Sequence, residues 1–260
     1  MDLRMAGKTA LVTGASQGIG EGLAYTLAAE GVNLHLTARS ADRLEQLARE
    51  ITRKHDVAVH VHPMDITEKG ACERLVDAAG DIDILVNNAG VIPSGTMYDV
   101  DEDAWRAGWE LKVFGYINLC RLVYARLKAR GGGVIINNIG NGGEVFDPRY
   151  IAGVTGNASL MAFTKALGGA SLDDNIRVIG VNPGPVDTGR IYNMLKKRAR
   201  SMYGDESRYM ELAATYPLGR PAHVDEVVDT IVFLASDRSG YTTGTIVTVD
   251  GGIASRRSII

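Results

Sequence analysis

Two cysteines in 260 residues, Cys72 and Cys120, are too few for a disulfide framework and fit a reducing compartment. Neither sign of charge dominates: 28 Lys and Arg against 31 Asp and Glu leave a net charge of −3, which argues against nucleic-acid binding through bulk positive charge. No stretch approaches the ~20 uninterrupted apolar residues of a membrane-spanning helix. No Pro/Ser-rich linker, internal repeat or composition break divides the chain. Met1–Arg4 leads at once into a strand-like run and is not read as a cleavable signal. Among the histidines, His60 and His62 alternate on one strand and share a face, but no third ligand is evident and no metal is expected. These absences leave one domain over residues 1–260, expected in the cytoplasm.

What is abundant is glycine, 31 residues, about 12% against the usual ~7%. With no low-complexity tract to absorb them, these glycines belong at turns and close backbone approaches. Short apolar runs read as strands at Thr9–Thr13, Val32–Ala38, Val57–His62, Ile82–Asn87, Gly133–Asn137, Ile176–Val181 and Thr245–Val249. Helical patterns fall between them, at Leu44-Leu47-Ile51, Trp105–Ala129, Ala158–Leu172 and Val224–Ala235. Near-continuously apolar strands alternating with helices imply a parallel sheet buried on both faces. Right-handed crossovers make it a single-domain, doubly wound α/β Rossmann fold of about seven strands with helices on both faces.

Thr13-Gly14-Ala15-Ser16-Gln17-Gly18-Ile19-Gly20 follows the first strand and opens a helix. Glycines there allow a tight turn and close passage of backbone beside a pyrophosphate, which faces free N–H groups and the positive helix end. At the end of strand two, where NAD-binding proteins carry an acidic residue for the ribose 2′-hydroxyl, stand Ala38 and Arg39. A guanidinium suits a 2′-phosphate, so NADP(H) is favoured over NAD(H).

The chain resembles the short-chain dehydrogenase/reductase family in its classical branch. Besides the glycine motif it has Asp65 after the third strand, Asn87-Asn88-Ala89-Gly90 after the fourth and Pro183-Gly184-Pro185-Val186-Asp187-Thr188 after the sixth. Further markers are Pro217–Pro221, Phe233–Asp237, Gly244 and Val249–Gly252, in family order across nearly the whole chain. The resemblance implies that Gly14, Ser16, Gln17, Gly18, Ile19 and Gly20 wrap the pyrophosphate and adjacent ribose. It implies Asp65 and Ile66 at the adenine, and Asn88, Ala89 and Gly90 along the adenosine ribose. Pro183, Gly184, Val186 and Thr188 would support the nicotinamide carboxamide. It also implies a homotetramer paired through the helices around Leu111–Ala129 and Ala158–Ser171 and the C-terminal segment; Leu111, Ile117 and Leu122 are apolar surface to be covered.

The family transfers hydride with Asn, Ser, Tyr and Lys, and none of the four is kept. Their positions hold Lys112, Gly140, Gly153 and Asn157. Three readings stay open. In the first, the acid/base groups are relocated: Lys112 and Asn157 look exchanged, and Tyr150 serves as the acid. A free phenol titrates near ~10 and needs a nearby cation to work near neutrality, for which Lys112 is the candidate. Tyr150 precedes Asn157 by seven residues, the Tyr-to-Lys spacing of the enoyl-carrier-protein reductases, which reduce C=C bonds. In the second, Glu144, Asn138 or Asn141 does other chemistry around the glycine-rich stretch 140–143, with backbone N–H groups as an oxyanion site; a solvent-facing Glu144 is the plainer expectation. In the third, the chain is an NADP(H)-binding sensor or scaffold. Residues 190–217, polar, rich in Tyr and Met and carrying Lys196-Lys197-Arg198-Ala199-Arg200, read as a substrate lid, the basic run itself as a solvated helix face.

Overall fold

The computed structural model describes residues 1–256; the end of the expected 1–260 domain, with part of the C-terminal segment assigned to subunit pairing, lies outside them. Seven strands form one sheet, all neighbours parallel, in the order β3-β2-β1-β4-β5-β6-β7. They are β1 (Thr9–Thr13), β2 (Asn33–Ala38), β3 (Val59–Pro63), β4 (Ile84–Asn87), β5 (Gly133–Asn138), β6 (Ile176–Pro183) and β7 (Thr245–Val249). Strand order reverses between β1 and β4, and in such sheets ligands bind beyond the strands' carboxyl ends at this switch.

Alternation along the strands divides the core. Ala10, Val12, Leu34, Leu36, Val86, Ile136 and Val181 pack on one face beneath α1 (Gly18–Ala29), α2 (Ala41–Lys54) and α9 (Val224–Ala235). Leu11, Leu85, Ile135 and Val178 pack on the other, with α3 (Ala71–Ala79), α5 (Gly115–Arg130) and α6 (Ile151–Gly168). Burial on both faces explains why the strands read as continuous apolar runs. Cys72 and Cys120 are buried within α3 and α5.

Two helices depart from the sequence reading. The one expected over Trp105–Ala129 is α4 (Glu102–Trp109) and α5, joined by a π-helical turn at Glu110–Phe114 that carries Lys112. The helix expected from Ala158 begins seven residues earlier, at Ile151, and ends at Gly168. Its first turns contain Gly153 and Gly156, poor helix formers, which here admit neighbouring side chains: a Cβ on Gly156 would meet Ile92, Trp109 and Val113.

Segment 190–217 forms α7 (Gly189–Tyr203) and the short α8 (Tyr209–Ala213) around a small cluster of its own. Ile191, Leu195, Ala199, Leu212 and Ala213 are its buried members. Tyr192 packs edge-on to Tyr209 in that cluster, with centroids 5.8 Å apart. At the sheet edge the pair His60 and His62 gains a third ring: His35 stacks on both, and its Nδ1 lies 2.9 Å from His62 Nε2. Burial, then the neighbouring rings, hold His35 down to about 4. Among the described residues no group of His, Cys, Asp and Glu is arranged to hold a metal ion. His223 is the N-cap of α9, where Glu226 accepts from its backbone N–H at 2.7 Å.

Candidate active site

The carboxyl ends of β1, β4, β5 and β6 bring the marked residues together. After β1 the chain turns through Gly14, at φ +65°, where a Cβ would lie 2.8 Å from Ala89 Cα. A Cβ on Gly20 would strike Gly14 O, and one on Gly18 would stand 3.1 Å from Thr188 Cγ2. This floor is thus closed to side chains. Gln17, the N-cap of α1, offers no side-chain bond to the helix, so the first N–H groups of α1 receive no cap from it. Side-chain-free backbone and uncapped amides in one turn fit a dinucleotide pyrophosphate.

Across the switch point, Asn88 is spent on structure: its Nδ2 donates to Thr13 O (2.9 Å) and Gly14 O (3.2 Å), and its Oδ1 accepts from Asn138 (2.8 Å). Thr188 stands at the N-cap position of α7 opposite Gly18, its hydroxyl donating to Val186 O at 3.3 Å, and Val186 bridges to Ala222 beside it. Gly184 is also required by packing, since a Cβ there would lie 2.7 Å from that of Asp250. Asp65 accepts from the Thr67 N–H (2.9 Å) and hydroxyl (2.7 Å), which, with the charge of Arg39, hold its carboxyl below the usual range. Ile66 is buried and Arg39 exposed at the end of β2. Arg43, which sequence reasoning missed, donates to Gln17 Oε1 at 2.9 Å and so adds a second guanidinium beside the glycine turn.

Around the four substituted positions the geometry is specific. Three consecutive carbonyls at the end of β5 are each bonded by a side chain from a different turn. Tyr116 donates to Asn138 O at 2.9 Å, Lys112 Nζ to Ile139 O, and Asn157 Nδ2 to Gly140 O at 3.3 Å. Lys112 and Asn157 thus bond adjacent carbonyls of one loop. Lys112 is buried with no carboxylate partner among the described residues, and burial, with the nearby charge of Arg190, pushes it down to about 7. A Cβ on Gly90 would lie 2.8 Å from the lysine's Cδ, so that stem lies against the loop after β4.

Tyr150 is the N-cap of α6. Its N–H donates to Asp147 O at 3.0 Å, and its backbone bridges to Gly95. The ring packs against the cluster of Ile92, Val100 and Ala152. It also fills the space above Gly153, where a Cβ would fall among Cζ, Cε1 and Cε2, and passes Gly142, whose Cβ would be 3.2 Å from Cε1. The phenol oxygen accepts from Arg190 Nη2 at 3.1 Å, and Arg190 Nη1 donates to Gly90 O at 3.2 Å. Nothing in the sequence pairs positions 150 and 190.

Glu144 is not the solvent-facing loop residue expected. Its Oε1 accepts from Asn182 Nδ2 (2.6 Å) and Thr248 Oγ1 (2.7 Å), tying the glycine-rich stretch to β6 and β7. Asn141 similarly donates to Asp250 Oδ2 at 3.2 Å.

A parallel doubly wound sheet with this glycine turn and these loops at its switch point defines an NAD(P)-dependent oxidoreductase, and the comparisons agree. The chain belongs to the short-chain dehydrogenase/reductase family. A family model described as enoyl-(acyl carrier protein) reductase matches residues 14–254. Oxidoreductase UcpA of Salmonella typhimurium is 37% identical, covering 98% of both chains. L-xylulose reductase of Bos taurus is 34% identical, over 97% of this chain and 98% of its own. The crystal structure of L-sorbose reductase from Gluconobacter frateurii, complexed with NADPH and L-sorbose, superposes with a TM-score of 0.91 at 33% identity, covering 99% of this chain and all of the other. No helix among the described residues is long and apolar enough to cross a membrane.

Proposed function

We propose that the protein is an NADP(H)-dependent oxidoreductase interconverting a small carbonyl compound and its alcohol, with Tyr150 as the acid/base group and Lys112 and Asn157 fixing the loop beneath it. The observation that carries this reading is the ring of Tyr150 over Gly153. It sets a phenol against Gly153, the position that aligns with the family's tyrosine, from a different point on the chain.

When bound, the nicotinamide supplies or accepts the hydride. Gly14, Ser16, Gln17, Gly18, Ile19 and Gly20 hold the pyrophosphate side, Asp65 and Ile66 the adenine, Asn88, Ala89 and Gly90 the ribose side, and Pro183, Gly184, Val186 and Thr188 the carboxamide. Arg39, joined by Arg43, reads the 2′-phosphate. Tyr150 gives its hydroxyl proton to the substrate oxygen during reduction and takes one back during oxidation. Lys112 and Asn157 act through Ile139 O and Gly140 O, which set the stretch 140–143 against which Tyr150 rests. Helices α7 and α8 close over the substrate as a lid.

L-xylulose reductase and L-sorbose reductase among the relatives support a small, polar carbonyl substrate. The family resemblance supports a homotetramer paired through α5 and α6, beside which Phe114 is 47% exposed. Two buried free cysteines suit a cytoplasmic setting. Loss of dihydronicotinamide absorbance with a panel of small ketones and aldehydes tests the activity: NADPH consumption that depends on the carbonyl supports it, and none with any carbonyl contradicts it. Sedimentation as a monomer at micromolar concentration contradicts the tetramer.

A further inference from the structure

Among the described residues the guanidinium of Arg190, at the mouth of this site, has no carboxylate counter-ion. The carboxylates of the surrounding loops are engaged elsewhere. Glu144 accepts from Asn182 and Thr248, Asp147 pairs with Arg149, and Asp250 accepts the N–H groups of Gly252, Ile253 and Ala254. Asp187 accepts from Tyr192, and His223 lies 3.9 Å from it. Helix α7 adds Lys196, Lys197 and Arg198 to Arg190, its Arg200 being paired with Glu206, and contains no acidic residue. Such a surface draws anions toward the cleft.

We infer that Arg190 is the recognition group for a substrate carboxylate, and that the carbonyl reduced here belongs to a 2-oxo acid, the product being the 2-hydroxy acid. The inference rests on Tyr150 as proton donor. Arg190 Nη2 donates to the Tyr150 hydroxyl at 3.1 Å, which sets a guanidinium and a phenol side by side. A 2-oxo acid presents two neighbouring acceptors, a carboxylate oxygen and the oxo oxygen on the next carbon. Its carboxylate takes the guanidinium fork while its oxo group takes the phenol proton, and the hydrogen bond now joining the two residues is replaced by charge-assisted ones. In the reducing direction the hydride of the reduced nicotinamide dinucleotide adds to C2. The carbon–oxygen π pair moves to oxygen, which takes the Tyr150 proton; the nicotinamide is oxidised and the phenolate regains its proton from water. The carboxylate is unchanged and serves only to orient. Both donors of Arg190 point to the phenol and the loop after β4, whereas the pyrophosphate cradle is at the start of α1, which separates this anion from the cofactor phosphates.

The test compares kcat/KM for 2-oxo acids and for their methyl esters with NADPH, in the unmodified protein, Arg190→Met and Arg190→Lys. The unmodified protein should prefer the acid by about 100-fold, the worth of a charge-assisted pair, and Arg190→Met should bring that ratio near unity through KM. Arg190→Lys should recover part of it, since an ammonium pairs without the fork. Equal use of acid and ester by the unmodified protein, or an unchanged ratio in Arg190→Met, overturns the inference. So does a loss of NADPH affinity in Arg190→Met with the acid preference kept, which would assign Arg190 to the cofactor. Titration of a 2-hydroxy acid into the NADP⁺ complex separates the two layers. Binding that Arg190→Met abolishes, without turnover of any carbonyl, upholds the carboxylate site and overturns the role of Tyr150.

Discussion

The ring of Tyr150 lies over the backbone of Gly153, three residues along the chain, so that a Cβ at position 153 would fall inside it. The glycine and the tyrosine are thus one feature: the small residue makes the room that the phenol occupies. Gly142 closes the same space from the loop after β5. A side chain held on two sides and anchored by its backbone to Asp147 and Gly95 is positioned, not incidental.

Gly153→Ala should displace the ring and destabilise the protein by about 1–3 kcal/mol, the usual cost of overpacking. Tyr150→Ala relieves the same collision. In a double-mutant cycle read by denaturant unfolding, the two changes should therefore be far from additive. Additivity would mean that the ring is not where Gly153 requires it.

Lys112 gives a pH signature. Its folded value, about 7, lies below the unfolded value of 10.5, so between them the unfolded chain binds the extra proton. The lysine's contribution to stability is present at high pH and is lost as pH falls through that window, by about 1.4 kcal/mol per unit. Lys112→Met, which keeps the apolar stem, should remove this slope. Urea unfolding at several pH values from about 7.5 to 9.5 checks it, and parallel curves for both proteins would contradict a neutralised buried lysine.

Glu144→Gln keeps an acceptor for Asn182 and Thr248 while removing the charge. Turnover should persist, and thermal stability should change by about 1 kcal/mol or less. Glu144→Ala should cost about 1–3 kcal/mol by leaving the buried Asn182 amide only its weak contact with Met161 Sδ. A dead but well-folded Glu144→Gln would instead favour a carboxylate base.

Arg39→Ala should weaken NADPH about 10- to 100-fold and leave NADH nearly unchanged, since only the 2′-phosphate engages the guanidinium. Arg43→Ala should act in the same direction. Fluorescence titration with both dinucleotides reads the difference, and equal losses would refute the assignment.

The sheet was legible because its strands are buried on both faces and so read as apolar runs bounded by turn residues. Errors there amount to a residue or two at the ends, as at β3, which starts at Val59 rather than Val57. The start of α6 was hidden because Gly153 and Gly156 read as breakers, whereas they serve packing against Tyr150 and Trp109. The π turn at Glu110–Phe114 leaves no mark in the hydrophobic spacing. At the site, the exchange of Lys112 and Asn157 was legible, and the two bond adjacent carbonyls of one loop. Arg190 with Tyr150, and Glu144 with Asn182 and Thr248, were not, because their partners lie 40, 38 and 104 residues away and only the fold joins them.

The most direct measurement follows deuterium from NADPH labelled at the transferring position into products of a mixed panel of 2-oxo acids, neutral ketones and enoyl thioesters, using the unmodified protein and Tyr150→Phe. Label on a carbon bearing a new hydroxyl, formed by the unmodified protein and reduced at least about 100-fold in Tyr150→Phe at unchanged NADPH affinity, is the predicted result. Unimpaired labelling by Tyr150→Phe, label at the β-carbon of a saturated thioester, or no labelled product from a protein that binds NADPH tightly would each contradict it.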